Sequence, residues 1–331
     1  MSYVYAPLAF ATSFVATLLS TPKVASYMRG KGIVGVDVHK PSKPEIPERV
    51  GLSMLVGFIA SLGLLCLVDI SSASTYLAVM LSILVAAGIG LVDDLKDLKP
   101  LHKVILATLS GLPILALRAY EPRPLIPFVG RVRLTIAYPI AIPFALSVTS
   151  NTMNMADPVN GAMSGSASII ITTLVLAYLL AGKPKGVLAG LALLGAVLAF
   201  YVYNRYPARV FSGNVGSFAV GAALGSLVVT NGLEVVAVVA MLPQVLNSFM
   251  ILSSVGGLKG KTSIPVRPTR LLEDGLIEAV KDPRAPLTLV RMILASSPKR
   301  EAEVAREFLT LTAFSSFLAI ITVFLTVEVW V

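Results

Sequence analysis

Ten apolar runs constrain this chain more than any motif does. They cover roughly residues 3–21, 50–70, 75–92, 104–117, 134–149, 162–181, 186–203, 217–230, 233–254 and 308–330. A helix needs about 20 apolar residues, each rising about 1.5 Å, to cross about 30 Å of hydrocarbon. Most of the runs reach or approach that length. Hydrophobic residues make up 56% of the 331 and charged residues only 14%, with a mean hydropathy of +0.83. A soluble domain of this size cannot hide so much apolar surface. The expected fold is therefore an all-α polytopic membrane protein, with about ten transmembrane helices in one integral membrane domain over 1–331. No basic segment precedes the first run and no small-residue cleavage site follows it, so it reads as a retained helix. The single cysteine, Cys66, lies in an apolar run and suits a small core residue.

Charge orients the expected bundle. With the loop after the first run in the cytoplasm, alternate loops hold six, three, two and ten of the 27 Lys and Arg residues; the other side holds six. The positive-inside rule then puts both termini outside. The net charge of +9 suits anionic headgroups and anionic substrates at the cytoplasmic face. Nucleic acid is not an expected partner, because the basic residues are divided among membrane loops.

The unusual polar groups fall on that same face. "GLVDDLKDLKP" (90–100) places Asp93, Asp94 and Asp97 just after an apolar run. If the helix continues, Asp93 and Asp97 align at a spacing of four. Carboxylates this close raise one pKa or recruit a cation; a charged helix end with ordinary pairing is the plain alternative. "NTMNMADPVNG" (151–161) offers amide oxygens, which are hard neutral ligands for magnesium, or simply turn residues. In "VFSGNVGS" (210–217), Gly213 and Gly216 let backbone N–H groups approach a phosphate at a helix start. The outer loop 121–134 suits a small hairpin. The long cytoplasmic loop 255–307 is glycine-rich and basic at first, then suits one or two amphipathic helices. "DDLKD" also fits the aspartate-rich pattern of prenyl diphosphate chemistry, but a second acidic cluster is missing.

Taken together, these loops resemble the polyprenyl-phosphate N-acetylhexosamine-1-phosphate transferases. The resemblance is nearest to the dolichyl-phosphate GlcNAc-1-phosphotransferase type, and phospho-MurNAc-pentapeptide translocase is related. It is carried by "GIVGVDVHKPSKPEIPERVG" (32–51), "GLVDDLKDLKPLHKVILATLSGLPIL" (90–115), "NTMNMADPVNG" and "NRYPARVFSGNVGS" (204–217). It implies a multi-pass enzyme of the cell membrane with a cytoplasmic active site. The enzyme would move a GlcNAc-1-phosphate-type group from a UDP-sugar to a polyprenyl phosphate, release UMP and use Mg²⁺; a homodimer is an open arrangement.

The resemblance also implies residue roles. Asp93, Asp94 and Lys103 are the catalytic candidates. Glu48, Asn151, Asp157, Asn160, Arg267 and Arg270 are the substrate-binding candidates. Asn154 and Asn214 are the candidate metal ligands. His102 is expected only at the rim. Three positions depart from the pattern. Asn214 stands where the family has aspartate, Pro158 where bacterial members have glycine, and Val266 interrupts the basic loop "IPVRPTR" (264–270). A binding relative that lost the chemistry, a transporter and, more distantly, an intramembrane prenyltransferase are the alternatives. Transporters favour polar groups at the bilayer midplane, whereas here they cluster at the rim.

Overall fold

A computed structural model describes residues 2–260 and 264–327. Its α-helices are α1 (Ala6–Gly30), α2 (Leu52–Val68), α3 (Ala73–Lys96), α4 (Pro100–Ala107), α5 (Leu112–Ala116), α6 (Ala137–Met155), α7 (Ala162–Leu180), α8 (Pro184–Asn204), α9 (Gly213–Asn231), α10 (Glu234–Ala240), α11 (Leu242–Val255), α12 (Leu289–Ile293) and α13 (Glu301–Val327). Helices dominate because each satisfies its own backbone where lipid cannot. Every one of the ten apolar runs contains helix. By length and composition, six stretches among the described residues can cross a membrane, within Tyr3–Gly30, Ile70–Lys96, Ala162–Leu180, Pro184–Asn204, Gly213–Asn231 and Glu301–Leu325. A seventh is the pair α10 and α11, bent by 70°. The segments Leu52–Val68 and Pro100–Ala116 are apolar but shorter. This is a multi-pass membrane protein.

Among the described residues, strand is confined to three small antiparallel hairpins: β1 (Val34–Val36) with β2 (Glu45–Pro47), β3 (Leu125–Ile126) with β4 (Gly130–Arg131), and β5 (Thr269–Leu271) with β6 (Ile277–Ala279). The β3–β4 pair is the hairpin expected in the outer loop. In the long loop, β5–β6 follows the glycine-rich, basic part, and the stretch where one or two amphipathic helices were expected holds the five-residue α12 and the start of α13 at Glu301.

The centre of the bundle is α9, whose side chains from Val215 to Val229 are all buried. It packs on α3 and α6, while α1 packs on α2 and α8, and α7 on α8 and α13. Small residues permit this approach, since lipid offers no hydrophobic drive between helices and contact area must. A Cβ added to Gly90 would lie 2.4 Å from the Asn214 carbonyl oxygen, and one on Gly51 would lie 2.4 Å from the Gly216 Cα. Backbone therefore touches backbone where α2, α3 and α9 meet, directly beneath the polar loops.

One local expectation fails. Helix α3 ends at Lys96, and Asp97 turns left-handed at φ 47° while its N–H still bonds the Asp93 carbonyl. Asp93 and Asp97 thus do not continue along one helical face, and the three aspartates part.

Candidate active site

Each of the two remaining aspartates finishes a different structural task. The Asp93 side chain is buried; its Oδ2 lies 2.6 Å from Lys103 Nζ, and its Oδ1 accepts the Leu98 N–H at 3.0 Å. Lys103, on α4, also donates to Asn154 Oδ1 at 3.0 Å and lies 4.9 Å from the centre of the Phe218 ring. Asn154, at the end of α6, donates in turn to Asn214 Oδ1 at 2.7 Å and to Ser217 Oγ at 2.8 Å. One chain of hydrogen bonds therefore joins α3, α4, α6 and α9.

Asp94 caps α9. Its two carboxylate oxygens accept the N–H groups of Asn214 and Val215, at 2.9 and 3.0 Å. A carboxylate at a helix N-terminus satisfies orphan donors and complements the dipole. Of the N–H groups at this helix start, where a phosphate was expected, those of Asn214 and Val215 are thus occupied by Asp94 itself. Gly213, at φ 66°, makes the turn that brings them to it. Arg49 donates to the Asp94 backbone carbonyl and ties the first loop to the same spot.

Around this frame lies a cleft of about 560 Å³. Among its lining residues are Glu48, Asp94, Asn154, Asp157, Asn160 and Asn214. Asp157 accepts the Ser212 hydroxyl. The far wall joins three distant segments. Asn160 donates its backbone N–H to Glu301 Oε1 at 2.9 Å and its side-chain amide to Asp37 Oδ2 at 3.0 Å, with a longer contact to Glu301 Oε2 at 3.4 Å. Lys40 bonds Asp37 Oδ2 from the other side. Asp37 and Glu301 are each only 3% exposed, so these partners are what make burial tolerable.

The wall's electrostatics follow from its packing. Burial pushes the Asp37 carboxyl up, but hydrogen bonds from Lys40 and Asn160, the Lys40 charge and the His39 N–H outweigh it and hold the group below 3.8. Burial also holds the His39 imidazole below 6.5; Asp37 opposes that, and the charges of Lys40 and Arg267 reinforce it. Asp37, His39 and Glu301 present ligand atoms within 4.8 Å of one another. The Lys40 ammonium already supplies positive charge there, so the cluster reads as a latch between the first loop and α13.

Eight of the eleven anticipated site residues meet in this cleft or its supporting network. The other three stand apart. Asn151 turns back to the Ser147 carbonyl on its own helix, at 2.8 Å. Arg270 pairs with Glu278 across β5–β6, with Nη2 2.6 Å from Oε2. Arg267 is exposed and, among the described residues, acts on the site through its charge on His39. Sequence reasoning missed Asp37, His39, Arg49, Ser212, Ser217 and Glu301. The first two lie inside the quoted "VDVHKP" stretch, whereas Glu301 sits in an ordinary-looking charged run.

At Asn154, Asp157 and Asn214 the cleft's donors toward a cation are oxygens, the set that suits Mg²⁺; His39 adds an imidazole nitrogen at the far wall. The oxygens of Asn154 and Asn214 accept from Lys103 and Asn154 respectively, so either must give up a protein partner to hold a metal. Asp157 adds a carboxylate to the same cleft.

Residues 76–232 match the glycosyl transferase family 4 pattern. The chain is 34% identical over 237 residues to a Saccharolobus solfataricus protein provisionally named UDP-N-acetylglucosamine–dolichyl-phosphate N-acetylglucosaminephosphotransferase, covering 70% of this chain and 73% of that one. It is 29% identical over 299 residues to a provisionally named glycosyltransferase of Methanocaldococcus jannaschii, covering 90% and 89%. It is 30% identical over 230 residues to the phospho-N-acetylmuramoyl-pentapeptide-transferase of Streptococcus pneumoniae, covering 65% and 70%.

Proposed function

The chain belongs to glycosyl transferase family 4, among the polyprenyl-phosphate N-acetylhexosamine-1-phosphate transferases, and from that premise we propose its reaction. A GlcNAc-1-phosphate-type group passes from a UDP-sugar to a polyprenyl, dolichyl-like phosphate. An oxygen of the lipid phosphate attacks the phosphorus that carries the sugar. The new P–O bond forms as the bridging P–O bond breaks, and UMP leaves with the bonding electrons. In this proposal the ten helical runs all span or enter the bilayer of the cell, both termini lie outside, and the cleft opens to the cytoplasm.

The observation that carries the reading is the Asp93–Lys103–Asn154–Asn214 network at the edge of the polar cleft. A phosphate monoester is mostly dianionic near pH 7, since its second pKa is about 6. The lipid phosphate thus needs little help from a base; the obstacle is bringing two anions together. Phosphoryl transfer then depends on neutralisation and alignment. Lys103 supplies a fixed ammonium, which Asp93 aims and keeps from wandering. Asp94 sets the position of α9 and hence of Asn214 and Ser217. Glu48, Asp157 and Asn160 line the remaining space, where sugar hydroxyls and a uracil edge offer hydrogen bonds. Mg²⁺ would be held by Asp157 with Asn154 and Asn214, and when bound it would neutralise diphosphate charge.

The test is transfer of radiolabelled sugar phosphate from UDP-GlcNAc to polyprenyl phosphate with Mg²⁺. Label entering the lipid phase with equimolar UMP is the expected result. Failure with UDP-GlcNAc and with other UDP-N-acetylhexosamines would sink the reading.

A further inference from the structure

A second groove lies across the cleft wall from the candidate active site and shares Asn160 with it. Its upper part, about 450 Å³, lies between α7, α8 and α13 and is lined by Tyr201, Arg205 and Arg306. Its lower part, about 410 Å³, is lined mainly by apolar residues such as Leu198, Phe317 and Ile320. Ile169 and Ala313 line both parts, so the two form one track. From Arg306 to Ile320, α13 rises about 21 Å, enough to run from the interface past the middle of a bilayer about 30 Å thick.

The head of the track is positive. Arg205 and Arg306 are both exposed, and neither guanidinium bonds a protein acceptor among the described residues. Paired free guanidiniums above an apolar channel match a phosphate with a hydrocarbon chain below it. Asn160 lines this groove and the cleft alike. It is buried and tied to Asp37 and Glu301, so it acts as a partition rather than a passage. That partition separates the groove's head from Asp94 and Lys103, which disfavours the acceptor lipid as occupant.

We propose that this groove binds one anionic membrane phospholipid, its phosphate between Arg205 and Arg306 and one chain along α13. Because Glu301 begins the same helix and holds Asn160, the bound lipid would brace the cleft wall.

Native mass spectrometry of the purified chain with phosphatidylglycerol or phosphatidylcholine tests this without turnover. One phosphatidylglycerol should be retained at least tenfold better than phosphatidylcholine. Retention should drop by a similar factor in Arg205→Ala/Arg306→Ala, and in Ala313→Trp, which fills the track without changing charge. Equal retention of both lipids, or unchanged phosphatidylglycerol retention in either variant, overturns the proposal. Should a variant fail to fold, the unaltered protein still decides it. A diazirine-bearing phosphatidylglycerol should label α13 between residues 306 and 320, competed by phosphatidylglycerol but not by polyprenyl phosphate. Labelling elsewhere overturns the proposal, and so does competition by polyprenyl phosphate, which would give the groove to the acceptor.

Discussion

The two ends of α9 solve the same problem with opposite charges. At the N-terminus the Asp94 carboxylate takes two backbone N–H groups. At the C-terminus Lys183 donates to the Asn231 carbonyl, and Tyr178 donates to the carbonyls of Leu227 and Gly232 at 3.2 and 3.0 Å. Nearby, Tyr138 donates to the Glu234 carboxylate. Both ends are polar and charged, as the helix dipole asks. What differs is space. The N-terminal end borders about 560 Å³, while the C-terminal cluster borders about 70 Å³, too little for a nucleotide sugar. Buried charge by itself therefore marks a helix end; charge beside open volume marks a site.

The largest expected effect tests the open end. Lys103→Ala alone would strand the buried Asp93, at a cost of about 3–5 kcal/mol. The double variant Asp93→Asn/Lys103→Met removes both charges, so it should fold normally and lose transfer by about 100-fold or more. Near-normal turnover in that variant would move the transfer site elsewhere. Next comes the closed end. Lys183→Met should cost about 1–2 kcal/mol of stability, seen in Tm, by uncapping α9. Its transfer rate should stay within about twofold of the parent. A tenfold loss of rate would break the contrast between the ends.

A smaller effect concerns the metal. Asn214→Asp adds a charged oxygen ligand beside Asn154, and it should lower the Mg²⁺ concentration for half-maximal transfer several-fold. Superimposable magnesium titrations would remove residue 214 from the metal site. The smallest effect is pH-dependent. The His39 pKa is lowered in the folded chain, so the unfolded chain takes the proton first as pH falls. Glu301, 3.8 Å from His39 and pushed up to about 7 by burial, works the other way and favours the latch as pH falls, so the His39 part of the pH dependence is a loosening below about pH 6.5, seen as faster amide exchange over residues 33–48. His39→Gln should flatten that dependence; an unchanged profile would mean that another group governs the latch.

The sequence made the helices legible because lipid forces apolar runs to be helical, so each run and the outer hairpin could be read directly. It also brought Glu48, Asn154, Asp157, Asn160 and Asn214 to one cleft, because loops on one membrane face have little choice of neighbours. It misread Asp97, since a helix end of one left-handed residue leaves no pattern in composition. It treated the backbone N–H groups around Gly213 and Gly216 as open to phosphate, because only three dimensions show that Asp94 reaches those of Asn214 and Val215 first. Arg270 looked like a phosphate ligand until the β5–β6 register placed Glu278 opposite it. Glu301 stayed hidden for the same reason in reverse: nothing local distinguishes a carboxylate that will be buried by segments 37 and 160.

The glycine contacts beneath the cleft carry a consequence for how such a chain can change over time. At Gly51 and Gly90 the clearance is set by main chain against main chain, so no rotamer can absorb an added methyl. Side chains that line the cleft without holding its frame, such as Glu48, can be exchanged one at a time, each exchange tuning what the cleft favours. The two glycines admit no such gradual path, because any larger residue wedges α2 or α3 away from α9 and moves Asp93, Asp94 and Asn214 together. A library built to alter the cleft's selectivity should therefore vary lining positions such as Val38 and Glu48 and hold 51 and 90 fixed, since diversity spent there wedges the bundle apart.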